Sequence, residues 1–151
     1  MNLPSCDYIG SSAFRDCKNL EHLVIGSGVE EIDQYTFNSC EGFEGELLVP
    51  DNVKILGKHV FNNTGFESLI LGSGLESIEQ GAFFGMKNLK SITKPEGLSL
   101  DQVAGNKSIF GGTERLYTVP TGFTDTEIEE YLYNQSRYAN ILSKNLHQDN
   151  V

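Results

Sequence analysis

The sequence predicts a solenoid of stacked coils, mostly β, followed by a C-terminal helix. Two observations predict it: one apolar pattern recurs along the chain, and after Pro120 a helical periodicity replaces it. The anchoring residues Phe14, Phe37, Phe61 and Phe83 recur at nearly constant intervals. One coil of that length cannot bury its own apolar positions, whereas stacked coils bury them against the equivalent residues of their neighbours. The four rings are therefore expected to form a column.

Each coil contains two short extended stretches. The first stretch recurs as LEHLVI, ELLVP, ESLILG and KSITKP, and its alternation of apolar and outward residues predicts a column of parallel strands. The expected inward residues are Leu23, Ile25, Leu47, Val49, Leu69, Leu71 and Ile92. Turns rich in Gly or Pro follow, then a second extended stretch (VEEI, VKIL, LESI). The segment AF-x-x-C-x-x-L is predicted to close the coil with a helical or 3₁₀ turn.

The three cysteines are interpreted as small buried residues. Cys17 and Cys40 occupy one repeat position, and Cys6 stands where later coils have Val. Adjacent coils would place the Cα atoms of Cys17 and Cys40 about 5 Å apart, at the spacing of neighbouring strands. A disulfide is therefore allowed but not required.

The repeated unit resembles a known family. The forms IGSSAFRDCKNLEHLVI, VEEIDQYTFNSCEGF and LESIEQGAFFGMKNLKSI are similar to the BspA-like leucine-rich repeat, also called the Treponema pallidum type, over roughly residues 3–120. This resemblance implies an α/β leucine-rich-repeat solenoid, a right-handed superhelix of about five short coils with a parallel strand column. It also implies a protein at the cell surface or secreted that binds other macromolecules.

The charge limits the possible partners. The chain has 11 basic and 21 acidic residues and a net charge of −10, which argues against nucleic acid and anionic membrane surfaces. The sequence contains no run of about 18 apolar residues, so it predicts no membrane span. The first residues, MNLPSCDYIGSS, lack the basic and apolar regions of a signal peptide.

The N-terminal end begins in the middle of a repeat. LPSCDYIGSSAF aligns with VPDNVKILGKHVF, so the first coil starts halfway round and leaves an apolar end uncovered. Terminal repeats need a polar outer face. We therefore expect either a preceding part of a longer chain or an end that pairs with another molecule.

Outward positions of the strand column are the candidate binding residues. They are His22, Val24, Glu46, Leu48, Ser68, Ile70, Ser91 and Thr93. Val24, Leu48 and Ile70 recur on three successive coils as an exposed apolar column about 10 Å long. Such a column indicates either an interaction surface or the preference of strands for aliphatic residues.

The fifth coil departs from the pattern. The interval from Phe83 to Phe110 is longer than the earlier intervals, and the excess predicts a longer loop over residues 97–109 with a short helix after Ser99. This loop is a candidate for individual specificity or a tolerated insertion. In TERLYTVP, either Tyr117 or Val119 is the inward residue.

The end of the chain predicts a cap. Thr124 and Glu127 form a capping box, and apolar residues then recur at helical spacing, so a helix is expected from 125 to about 145, either continuous or broken near Asn134. We divide the chain into a leucine-rich repeat solenoid, residues 1–120, and a capping helix with a tail, residues 121–151.

The sequence predicts no catalytic residues, no metal ligands and no cofactor. The three histidines, His22, His59 and His147, lie in different parts of the repeat pattern, whereas a triad needs convergent groups. Neither GxGxxG nor GxxxxGK[ST] is present. The acidic residues lack the spacing of a calcium loop and are interpreted as solvated charge; they are Glu30, Glu31, Asp33, Glu44 and Glu46.

Two functions remain open from the sequence. The first is a non-catalytic interaction and adhesion module of a microbial surface protein, which binds a protein or glycan through its concave face. The second is an intracellular or secreted scaffold that self-associates through the N-terminal coil or binds a host protein. Neither the ligand nor the oligomeric state follows from the scaffold.

Overall fold

The structure is a computed structural model of the 151-residue chain. It describes residues 1–3, 6–105, 108–111 and 120–132. Several predictions from the sequence fall outside these ranges: the inward residue of TERLYTVP, residues 106–107 of the long loop, the helix beyond residue 132 and the C-terminal tail.

Short strands and two short helices make up the described fold. The strands are β1 (Asn2–Leu3), β2 (Tyr8–Ile9), β3 (Val24–Ile25), β4 (Glu31–Ile32), β5 (Glu46–Leu48), β6 (Ile55–Leu56), β7 (Ser68–Ile70), β8 (Ser77–Ile78), β9 (Phe83–Phe84), β10 (Ser91–Thr93) and β11 (Phe110–Gly111). The helices are α1 (Leu100–Val103) and α2 (Asp125–Tyr131).

Every described strand pairs in parallel with the equivalent strand of a neighbouring coil. One side of the coils carries the ladders β1–β3 and β5–β7–β10, and a second carries β2–β4–β6–β8. The third pairing, β9–β11, joins the last two phenylalanine-containing turns. The described chain is thus a mostly β solenoid of about four turns, which confirms the predicted fold class.

The predicted strand column is divided into two ladders, because the second coil contains an extra residue. Leu23 is the third residue after Leu20, whereas Leu47 is the fourth after Phe43. The additional residue is Gly45, whose φ of +74° lies in the left-handed region that glycine tolerates. Its carbonyl oxygen accepts from the amides of Glu67 (2.7 Å) and Ser68 (3.3 Å), at the start of the β5–β7 pairing.

The phenylalanine column is confirmed. Successive centroids from Phe14 to Phe37, Phe61, Phe83 and Phe110 lie 5.4, 5.6, 6.1 and 5.3 Å apart, with rings within 19° of parallel. The last four members are buried, and Phe14 at the N-terminal end is half-buried. The predicted inward strand residues are buried as well.

The turn side of each coil uses left-handed backbone that the sequence analysis did not anticipate. Two residues per coil, four positions apart, have positive φ: Ser12 and Asp16, Tyr35 and Ser39, His59 and Asn63, Gly81 and Gly85. The turns carry 3₁₀-type hydrogen bonds such as Cys17 N to Phe14 O. No helix forms in these described turns, because a residue with left-handed backbone cannot continue a right-handed turn.

Two of the three cysteines differ from the expectation that all are buried. Cys40 is buried, Cys17 is half-buried and Cys6 is exposed, and all three are free thiols. The Cys40 thiol donates to the carbonyl oxygen of Phe14 at 3.0 Å. Burial raises the pKa of the Cys40 thiol to about 11. Cys6 is exposed because it precedes β2 at the end of the stack, where the structure describes no earlier coil.

The predicted capping elements are present within the described residues, but α2 ends at Tyr131 with Leu132 as its C-cap, so it is shorter than a continuous helix from 125 to about 145. Ser99 caps α1, as expected, and Thr124 and Glu127 form the complete capping box of α2. Ile128, Tyr131 and Leu132 are buried against the core. Thr121 bridges to Thr93, so the strand side continues one step beyond β10. None of the described helices is long and apolar enough to cross a membrane.

Stacking of the rings predicts how much one of them stabilises the fold. Phe61→Ala is expected to lower the free energy of unfolding by about 3–5 kcal/mol, because it leaves a cavity between two neighbouring rings. The matched control is Phe84→Ala, since Phe84 is 44% exposed. Chemical denaturation followed by circular dichroism measures both variants. Equal stability of the two variants would contradict the stacking argument.

Candidate binding face

The strand face is defined here as the outward residues of β3, β5, β7 and β10 together with residues 21, 22, 44 and 67, which precede these strands. All eight candidate residues from the sequence lie on it, and none is buried. The exposed ones are His22, Val24, Glu46, Leu48 and Ser91, and the half-buried ones are Ser68, Ile70 and Thr93. Whether these residues bind a partner stays a prediction.

The apolar part of the strand face is formed by Val24, Leu48 and Ile70. Val24 is 57% and Leu48 51% exposed, whereas Ile70 is half-buried. Leu48 and Ile70 are direct partners across β5 and β7, and Thr93 continues the row on β10. Val24 belongs to the other ladder, although β3 and β5 are neighbours. The apolar row therefore has a break in its backbone pairing between Val24 and Leu48.

An acidic column runs beside the apolar row. Glu21, Glu44 and Glu67 are exposed and recur every 23 residues, with Lys90 a further 23 residues on. The Glu44 amide donates to Glu21 O (2.9 Å) and the Lys90 amide donates to Glu67 O (2.7 Å), whereas the Glu67 amide donates to Gly45 O (2.7 Å), one residue beyond Glu44. The Lys90 ammonium pairs with the Glu67 carboxylate at 3.1 Å. Acidic charge in this column is thus concentrated on the first three coils.

The acidic column is not among the features predicted from the sequence, where Glu44 is interpreted as solvated charge and is not connected with Glu21 and Glu67. The equal spacing of the three glutamates is a signal for the column, although spacing alone does not reveal the one-residue offset at Gly45. Glu21 and Glu44, together with His22, bring potential metal-ligating atoms within 4.8 Å of one another.

The two described histidines lie on different sides of the coil. His22 is on the strand face, with Nε2 3.9 Å from a carboxylate oxygen of Glu44. His59 is on the turn side, where its ring stacks on Tyr35 at 5.5 Å between centroids. Burial, assisted by the charge of Lys58, lowers the pKa of His59. The structure does not bring His22 and His59 together.

The long loop of the fifth coil is fixed to the cap by a buried lysine. Lys94 follows β10, and its ammonium group donates to the carbonyl oxygens of Leu98 (2.7 Å) and Gly122 (2.8 Å). It also lies 5.4 Å from the ring centroid of Phe123. One side chain therefore joins the last strand, the loop and the segment before α2.

Glu127 supplies the opposite charge. Its carboxylate lies 3.2 Å from the Lys94 ammonium, and the side chains of Glu127 and Lys94 are only 12% and 1% exposed. It also accepts hydrogen bonds from the amides of Leu100 and Thr124, at 3.0 Å each. Burial opposes ionisation of Glu127, but these amides and Lys94 outweigh it, so its pKa is lowered. The loop is thus held in place where it meets the cap.

Comparisons with known proteins agree with the geometry. Residues 7–140 match, in six copies, the family described as BspA type leucine rich repeat region. A leucine-rich repeat protein of T. pallidum is similar in structure, with 26% identity, a TM-score of 0.62 and 76% of this chain covered. One from Bacteroides ovatus shows 24% identity, a TM-score of 0.55 and 79% coverage. The chain spans 63% and 38% of those two proteins. No curated protein matches it.

The buried ion pair predicts a pH-dependent stability. Glu127→Gln leaves the Lys94 charge buried without its counter-charge and is expected to cost about 3–5 kcal/mol at pH 7. Because the folded pKa of Glu127 is lowered, its contribution is complete above the ordinary value of 4.5 and is lost as pH falls through the folded pKa. Denaturant titrations of both proteins at pH 7 and about pH 2 measure this.

Glu130→Gln is the control for this experiment, because Glu130 is an exposed carboxylate on the same helix. It is expected to change stability by no more than about 0.5 kcal/mol. A stability difference between the original protein and Glu127→Gln that stays constant down to the lower pH would contradict the assignment.

Proposed function

Because the chain belongs to the BspA-type leucine-rich repeat family, we propose that it is a non-catalytic interaction and adhesion module of a microbial surface protein. Proteins of this repeat class typically mediate protein interaction. In the proposal, residues 1–120 form the binding solenoid and residues 121–151 cap it. The concave side is assigned to the strand face, in line with other repeat solenoids.

The observation that carries the proposal is the exposure of Val24 and Leu48 on neighbouring strands. Each is more than half exposed to water, although the same strands bury their inward aliphatic residues. Contiguous exposed apolar surface with a polar margin is characteristic of protein-binding sites. The stability of the solenoid does not require these two side chains, since the inward row already provides the core.

The charge beside the apolar row indicates the chemistry of the partner. Glu21 and Glu44 place carboxylates along one side of it, Glu67 is paired with Lys90, and the whole chain has a net charge of −10. Complementary charge accelerates association and disfavours partners of the same sign. We therefore assign the strand face to a protein segment with an apolar centre and Lys or Arg flanks. A glycan would satisfy the polar margin but leave Val24 and Leu48 without an apolar contact.

The proposed function is tested with an array of short peptides that have Leu, Ile or Phe centres. Lys/Arg-flanked peptides are expected to bind, Asp/Glu-flanked peptides are not, and the binding should weaken with salt. The variant Val24→Ser/Leu48→Ser/Ile70→Ser should lose most of this binding while keeping its fold. Biolayer interferometry on selected peptides measures the loss.

The matched control is Tyr8→Ser/Phe84→Ser, which removes two exposed aromatic side chains that lie outside the strand face. It should bind as the original chain does. Unchanged binding by the triple variant would overturn the assignment to the strand face. Binding to a glycan array in place of the peptides would overturn the assignment of a protein partner.

A second candidate function is self-association through the N-terminal coil. Phe14, Cys17 and Leu20 are only partly buried, whereas their counterparts one coil later, Phe37, Cys40 and Phe43, are at most 1% exposed. A second copy seated on this end would complete the burial. Among the described strands, β2 is an edge strand of the β2–β4–β6–β8 ladder, and a second copy could pair with it there.

Self-association predicts a concentration-dependent mass. Light scattering should give a monomer–dimer equilibrium for the original chain and a monomer for Phe14→Asp, because the charge prevents stacking of two column ends. Glu76→Lys, a change at an exposed position of the coil that begins at Phe61, serves as the control and should dimerise normally. A monomer at all concentrations would exclude this candidate and leave the binding proposal intact.

A further inference from the structure

Three side chains at one end of the strand face come from two successive coils. Glu21 and His22 precede β3 in the first coil, and Glu44 occupies the position of Glu21 one coil later. An imidazole nitrogen and one carboxylate oxygen from each glutamate all lie within 4.8 Å of one another. All three residues are exposed, so an ion can reach them from solvent.

The backbone beneath these side chains is held by the fold. The amide of Glu44 donates to the carbonyl oxygen of Glu21 at 2.9 Å, which fixes the two coils relative to each other at this point. His22 leads directly into Leu23, which is buried in the core. The side chains need only rotate, therefore, to close around an ion.

We propose that Glu21, His22 and Glu44 form a binding site for a divalent transition-metal ion, with Zn²⁺ as the best fit. Zinc binds imidazole nitrogen and carboxylate oxygen at about 2.0–2.2 Å, so donors in a tetrahedral site lie roughly 3.3–3.5 Å apart. The present separations extend to 4.8 Å, so the exposed side chains have to rotate to bring the donors into that range. Two glutamates and one histidine supply three zinc-type ligands, which is the number that zinc sites with an open fourth position take from the protein, although the common sets contain more histidine or cysteine.

The donor set disfavours the hard cations. Ca²⁺ takes six to eight oxygen ligands, and Mg²⁺ requires near-octahedral oxygen coordination, whereas this cluster offers two carboxylates and a nitrogen. Imidazole together with carboxylate suits Zn²⁺ and its neighbours among the divalent transition metals. The sequence alone predicts no metal site, because the acidic residues lack the spacing of a calcium loop and no motif connects His22 with Glu21 and Glu44.

An ion at this position would act on the strand face. It would neutralise the negative charge of Glu21 and Glu44. It would also leave an open coordination position on the metal near Val24. A histidine or carboxylate of a bound protein could complete the coordination. This consequence rests on the proposed function, whereas metal binding itself does not.

Calorimetric titration with ZnCl₂ tests the site on the full chain carrying Cys6→Ser, because the exposed Cys6 thiol is itself a zinc ligand. One ion per chain is expected to bind. His22→Ala and Glu44→Gln should each weaken binding by at least about tenfold, since even changes behind a ligand cost about 10–100-fold. Both positions are exposed, so thermal melting without metal should be unchanged.

Two control variants accompany the titration. Glu67→Gln alters the next carboxylate of the acidic column, and His147→Ala removes a histidine of the C-terminal tail; both should bind Zn²⁺ as the parent does. Imidazole ¹⁵N shifts should report coordination at His22 alone. Equal Zn²⁺ affinity of His22→Ala and the parent would overturn the site, and so would Ca²⁺ binding as tightly as Zn²⁺.

The Zn²⁺ titration and the peptide-binding experiment test separate claims, so a negative result in one does not decide the other. Val24→Ser/Leu48→Ser/Ile70→Ser should keep its Zn²⁺ affinity even where peptide binding is lost. If Zn²⁺ binds and no peptide does, the metal site stands without the proposed function. If peptides bind and Zn²⁺ does not, the proposed function stands and the metal site is overturned.

Discussion

Register between neighbouring coils is the constraint on which this structure depends. A single coil offers one or two strands of two or three residues, which cannot persist alone. Stacking pairs each strand with its equivalent and places each phenylalanine ring on the next, so that backbone and core are satisfied by the same translation. Side chains that point outward then repeat at the same interval. The acidic column and the apolar row are consequences of this register, as much as the core is.

The fold could be predicted from the sequence because the chain is a repeat. Constant spacing located the phenylalanine column, and alternation located the inward residues of the strands, because both patterns follow directly from burial. The capping box of α2 was equally local, since Thr124 and Glu127 act on each other's backbone. The outward candidates were found because they alternate with those buried positions.

Other features could not be read so easily. The positive φ at Tyr35 and His59 is unusual for large side chains, and the surrounding ladder of backbone hydrogen bonds imposes it. The conformational preferences of tyrosine and histidine do not predict these left-handed positions. The divided strand ladder depends on the single inserted residue Gly45, which shifts the pairing without changing the apolar pattern. Lys94 and Glu127 are separated in the chain by the whole irregular fifth coil, so no periodicity connects them before the fold brings them into contact.

The ladders also determine how the molecule responds to force. Hydrogen bonds between parallel strands of adjacent coils run along the solenoid axis, so tension on the two ends of the chain stretches one rung at a time. Each detached coil, for example the one from Phe14 to Phe37, extends to about 80 Å. The remaining coils keep their own contacts, because each touches only its neighbours. Under tension the protein would therefore lengthen in steps, one coil at a time. The Lys94–Glu127 pair would resist detachment of the cap at the C-terminal end.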